Sequence, residues 1–362
     1  MRLFRNGCFL IIFCCCSGLY SQHVKLLVAG PKQSFRGLSV VSDRIIWVSG
    51  AKGTVGKSAD GGKTWEWMTV AGYENCDFRD IEAFSKKEAI IMAIASPAYI
   101  LKTVDGGKTW KKVYENHEKN MFLDAIAFYD SKNGVVVGDP IGGSFFLAHT
   151  TDGGNSWRKL ENYYKPDTGE ACFASSGTNI IFPINPRSFE IVTGGSHAER
   201  LKCTLYPKSS EHVRYIHRGE LDEMTDPLLD SVVISAEPLP LLLQGKNSTG
   251  ANSIAALNWM TEVVVGGDFS AKDSTRGNCI YSRDGRNWNV PKQGPSGYRS
   301  CAAYLGEGTY ICCGLNGVDL SGDFGETWKK ISSDSFHACQ KAKKGKAVFF
   351  IGNEGQIGKL MP

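Results

Sequence analysis

Three arginines recur at one kind of position in this chain. Arg36 follows Phe35, Arg79 follows Phe78 and Arg299 follows Tyr298, each opening an apolar stretch. A guanidinium presents a planar, two-pronged fork to carboxylates, so three of them brought together would hold an anion. Equivalent positions elsewhere carry Leu123, Asn179, Asn252 and His337. Asp139, His197 and Asp268 stand in later connections of the same units, Glu170 lies in the long connection 162–177, and Asp80 and Asp124 follow two of the ring positions. Such a set is suited to a polar or anionic ligand, a carbohydrate, or a charged tail of a protein partner. A second chemistry is glycoside hydrolysis by two carboxylates, for which Asp139 and Asp268 are the available pair. The alternative without function is a ring of polar groups that satisfy one another around a water-filled channel.

Other chemistries are excluded by pattern. There is no GxGxxG between a strand and a helix, no CxxC, and no HExxH or HxH among the seven histidines. No cofactor and no dedicated metal site are expected. Lys and Arg total 41 against 37 Asp and Glu, too even a balance to imply a nucleic-acid partner. Cys301 and Cys313 flank the turn Gly306-Glu307-Gly308 and are placed to face each other across a hairpin, a candidate disulfide. The vicinal pair Cys312-Cys313 reads as packing on a strand.

Residues 1–22 combine Arg2 and Arg5, an apolar run from Cys8 to Cys16, and small residues at Ser17, Gly18 and Ser21. That is the plan of a secretory signal peptide. The expectation is export, to the periplasm or the cell surface and beyond, with a lipoprotein on Cys14, Cys15 or Cys16 as the alternative. The run is too short for a membrane span.

What must position the arginines is a repeat. SADGGKTW, TVDGGKTW, TTDGGNSW, SRDGRNW and SGDFGETW end at Trp65, Trp110, Trp157, Trp288 and Trp328, using five of the eight tryptophans. Their aspartates, Asp60, Asp105, Asp152, Asp284 and Asp323, suit hydrogen bonding to amides of their own turn, and the glycines supply positive φ. These residues read as structural. Units start near 35, 78, 122, 178, 251, 298 and 336, and the last lacks a fourth strand. Residues 23–29 precede the first unit and can supply it. The expected fold is all-β: a seven-bladed β-propeller over 23–362, closed by the N-terminal strand. Eight blades is the alternative, because Asp152 and Asp284 lie three repeats apart. The stretch at about 207–236 reads as an insertion replacing the fourth turn, and itself a candidate interaction element. A single monomeric domain follows.

These turns resemble the Asp-box, or bacterial neuraminidase (BNR) repeat, of sialidases, sortilin-type receptors and several glycosidases. The fuller unit, with FRGLSVV, VVVGDP and KTVDGGKTWKKV, most resembles the photosystem II stability/assembly factor family, which has secreted bacterial relatives. The resemblance implies a seven-bladed propeller that binds a protein or other ligand and assists assembly, without catalysis. The sialidase branch would need a Tyr–Glu pair and an arginine-isoleucine-proline signature, and the sequence displays neither.

Overall fold

In three units the second strand is buried along its whole length, as in Ile46–Gly50 and Ala89–Ala93, and in the others along most of it. A strand covered on both faces needs a layer on either side, and sheets stacked around an axis provide it. The computed structural model describes residues 22–27, 30–207 and 229–362. Its strands form seven antiparallel sheets, six of four strands and one of six. They are the blades of a seven-bladed propeller; no eighth is present among the described residues. The innermost strands are Phe35–Val40, Phe78–Ala83, Leu123–Phe128, Ile180–Asn185, Thr249–Asn258, Cys301–Gly306 and Ala338–Lys341. Closure follows the expected route. His23–Leu26 pairs with Ile357–Met361, from His23 opposite Met361 to Leu26 opposite Gly358.

The stretch at 207–236 needs a correction. Leu229–Pro238 is no insertion: it pairs with Glu199–Pro207 from Pro238 opposite Glu199 onward and is the fourth strand of blade 4. Val232, Val233 and Ile234 run consecutively at its centre, but no turn motif precedes them to reveal a strand. Residues 208–228 lie outside the described residues, as does all but Gln22 of the signal-peptide segment.

Neighbouring blades are joined near the axis by a recurring bond. An amide on one innermost strand donates to a side chain on the preceding one: Ala83 to Ser39, Ile126 to Asp80, Ala302 to Ser253, Cys339 to Cys301 Sγ, and Val40 to Gln340 across the closure. Each bond satisfies a buried donor that the curvature of the ring leaves without a strand partner.

The five repeated turns share one hydrogen-bond plan. In the first, the Ser58 hydroxyl donates to Asp60 and accepts the Gly62 amide, while Asp60 accepts the Lys63 and Thr64 amides and the Thr64 hydroxyl at 2.6 Å. Gly61 and Gly62 sit at φ 82° and 84°, the left-handed region that favours glycine. Hydroxyl and amide donors hold Asp60 and Asp105 down to about 2. The shortened fourth turn keeps the plan with the Arg286 and Asn287 amides and the Asn287 side chain on Asp284. The tryptophans that close the turns are buried or half-buried, as at Trp328 and Trp157.

Candidate functional site

In a four-stranded antiparallel blade, the first strand starts on the same side as the connection between the second and third. The repeated turns then fall on the opposite side. A cavity of about 440 Å³ opens on the strand-start side. Its wall includes Arg36, Arg79, Asn252 and His337 from the ring positions, and Asp139. The fold therefore brings five of the nine sequence candidates to one cavity.

The other four are turned elsewhere. Arg299 is fully buried, with its Nε 2.8 Å from Asp319 and further bonds from the guanidinium to Asn316, Ser296 and the Tyr298 carbonyl. It is not a third free fork. Burial opposes its charge, but Cys312 and the Asp319 carboxylate outweigh this and raise its pKa. Asp268 lies off the cavity wall and accepts the Ser270 amide, so the Asp139–Asp268 pair needed for a two-carboxylate hydrolase is not assembled. Asn179 is fully buried outside the wall. Glu170 is buried beneath the mouth, where it accepts from Thr193 Oγ1 at 2.7 Å and from the Asp167 amide. His197 sits outside the cavity, 2.9 Å from Asp167.

The connection 162–177 does more than border the mouth. Ala171, Cys172, Phe173, Ala174 and Ser175 all line the cavity. The Ser175 carbonyl accepts from Arg36 at 3.2 Å, and its hydroxyl reaches Asn252 Oδ1 and the Ser300 carbonyl. Gly177, at φ 72°, packs so closely on Asp80 that a Cβ there would come within 2.3 Å of the carboxylate. One segment thus touches blades 1, 2, 5 and 6 and plugs the channel, leaving the cavity above it. Sequence reasoning placed this connection on the right face but missed the plug. Its only signal is a run of small residues broken by Phe173, Ala171 to Gly177, too short and aperiodic to belong to a blade.

The electrostatics of the wall are mixed. Arg36 has no carboxylate within ion-pair distance among the described residues; burial and the like charge of Arg79 lower its pKa. Arg79 is held by Asp77 at 2.8 Å and lies over the Phe122 ring. Asp124, which sequence reasoning ranked only as a neighbour of the ring, is buried on the wall. Burial and then the Asp139 charge push its carboxyl well above the usual range, opposed by Arg79 and the Ala174 amide. Burial takes Asp139 up to about 6. Burial and the Arg36 charge take His337 down to about 4, keeping it neutral and bonded to Asn353. Phe122, Phe173, Phe269 and Leu315 supply apolar wall. Two cationic forks, two carboxyls that ionise reluctantly and an apolar lining can hold an extended polar chain.

A Tyr–Glu contact does exist, unseen in sequence: Tyr164 Oη donates to Glu199 and Glu170. It is absent from the arginine cavity, and its chemistry runs the wrong way for a nucleophile. Burial and both carboxylates drive the Tyr164 pKa upward, so the phenolate that would attack is disfavoured. The pair anchors the plug connection instead. Sulfur also gathers where spacing gave no hint. Cys301 and Cys313 are opposite in the hairpin register as expected, but all eight described cysteines are free thiols, and Cys339 joins those two in one cluster.

No helix among the described residues is long and apolar enough to cross a membrane. No curated protein matches the chain. A family model, the photosynthesis system II assembly factor YCF48, matches residues 80–167. Among solved structures, YCF48 bound to D1 peptide is 14% identical at a TM-score of 0.57, over 94% of this chain and 95% of that one. YCF48 from Cyanidioschyzon merolae is 17% identical at 0.58, over 94% and 99%. The WD40 propeller domain of Doa1 is 12% identical at 0.59, over 94% and 96%, a fold-level likeness that carries no function. The chain is a seven-bladed all-β propeller similar to the assembly factor YCF48 in the segment its family model covers, and to solved YCF48 structures along nearly its whole length.

Proposed function

We propose that this chain is a non-catalytic, exported propeller that captures an acidic segment of a protein partner in the strand-start cavity, in the manner of an assembly factor. The observation that carries this reading is Arg36, a half-buried guanidinium on an open wall with only a backbone carbonyl as hydrogen-bond acceptor. An unneutralised cation that has lost part of its water gains most from an incoming carboxylate. Arg79 supplies a second fork, and the phenylalanines around it accept the apolar part of a peptide. The YCF48 likeness, including a structure of that protein with a peptide, supports a polypeptide occupant over a sugar. Export rests on the leader-like residues 1–22, and the YCF48 likeness supports an assembly role.

The test is binding of fluorescent peptides with acidic and with amidated, neutral ends. The acidic set should bind preferentially, weaken with salt, and lose at least about tenfold affinity in the Arg36→Ala/Arg79→Ala variant, the equivalent of 1.4 kcal/mol. Equal binding by that variant would end the proposal. Release of product from aryl glycosides, lost in Asp139→Asn, would replace it with hydrolysis.

A further inference from the structure

Cys301 and Cys313 lie on adjacent strands of blade 6, and Cys339 on the innermost strand of blade 7. Their sulfur atoms all lie within 4.8 Å of one another, with Cys301 and Cys339 at 3.7 Å, and none of the three residues is more than 1% exposed. Three sulfurs bound to one ion at a metal–sulfur length of ~2.3 Å sit roughly 4 Å apart, so the trio is near ligating geometry already. Thiols that only fill space have no reason to converge from two blades onto one point.

A second observation concerns Cys301. Its sulfur accepts the Cys339 amide at 3.3 Å and the Thr178 hydroxyl at 3.5 Å. Such donors orient and stabilise a ligating thiolate, the role outer-shell hydrogen bonds play at metal centres. The thiolate is the form that binds metal.

The donor set selects the ion. Sulfur alone favours a soft cation, and the group holds no imidazole or carboxylate. The three cysteines supply three sulfurs and belong to an apolar cluster with Phe336, Val318 and Ile351. A zinc ion, which takes four ligands, is poorly served by that arrangement. We propose that Cys301, Cys313 and Cys339 form a three-coordinate thiolate site for a single Cu(I) ion. Binding releases thiol protons and changes no oxidation state. Ser300, the neighbour of Cys301, lines the cavity, so the short way in runs from the channel mouth.

The experiment titrates the reduced, full chain without oxygen against Cu(I) held by a chromophoric chelator. One equivalent should leave the chelator, and a thiolate-to-copper absorption should appear in the near ultraviolet. Cys339→Ala should weaken binding by about 100-fold or more, and Thr178→Val by about tenfold, the scale of outer-shell losses. Cys203→Ala and Cys279→Ala, buried outside the trio, should leave the affinity unchanged. If a variant fails to fold by circular dichroism, the wild-type titration decides alone. The proposal is overturned if folded wild type takes up no copper, if Cys339→Ala binds as well, or if two of the trio are joined by a disulfide in the purified protein.

Discussion

The two faces of the propeller handle their aspartates in opposite ways. On the turn face, Asp60, Asp105, Asp152, Asp284 and Asp323 are surrounded by donors from their own turn, and their pKa values fall. On the strand-start side, Asp80, Asp124 and Asp139 are buried with too few donors, and theirs rise. The first group recurs in five turns; in the second only Asp80 and Asp124 share a position, in two blades. Repetition marks what the fold needs in every blade, and departure from it marks where a ligand can gain something.

The arginines sharpen the same contrast within one face. Arg299 has Asp319 two residues before the serine that opens its turn, where blade 1 has Gly56 and blade 2 has Leu101. That single difference converts a free fork into a buried ion pair. Asp319→Ala should therefore have the largest effect, a loss of about 3–5 kcal/mol from stranding a buried guanidinium, read by urea unfolding. Arg36→Ala should cost less than about 1 kcal/mol, since a half-buried cation without a counter-charge contributes little to folding. Comparable losses in the two variants would collapse the distinction.

Acidity tests the faces against each other. Asp80 is raised from 3.8 to about 7 by burial, and Asp139 to about 6. Groups raised on folding favour the native state below the unfolded value, and that contribution disappears as pH climbs through the folded one. Asp60 and Asp105, lowered to about 2, work the other way: their contribution is present above 3.8 and lost as pH falls toward 2. Thermal stability should peak near pH 4–5, roughly between the two windows. Asp80→Asn should flatten the limb between 4 and 7; a wild-type limb that rises there contradicts the assignment. Ligand binding should follow the cavity carboxyl. As Asp139 becomes neutral below about 6, an acidic peptide should bind severalfold more tightly at pH 5.5 than at pH 7.5, and Asp139→Asn should abolish that gain. The smallest effect belongs to the turns. Asp323→Ala removes one local acceptor and should cost about 1 kcal/mol, the scale of a lost cap.

The architecture was legible because its signal is local: eight residues specify a turn, and the turn sets the register of the two strands it joins. The missing fourth strand of the last unit likewise pointed to closure by residues 23–29. The site was only half legible. Ring positions could be counted from the aromatic before each arginine, but the fate of Arg299 depends on Asp319, 20 positions away. The fourth strand of blade 4, Leu229–Pro238, hid because no turn announces it. Tyr164 meets Glu199, and Cys301 meets Cys339, only once blades stand side by side. Contacts between blades leave no trace in a spacing pattern within one.

The closing pair of strands has a mechanical consequence. His23 lies opposite Met361, so the two ends of the ring are held side by side. Tension applied between them loads the first residue pair alone, then the next, and the seam opens like a zipper through four pairs. Load spread across a strand in shear would engage all its bonds at once. A partner that pulled on either end could open this ring at the seam while its other six blades stayed whole.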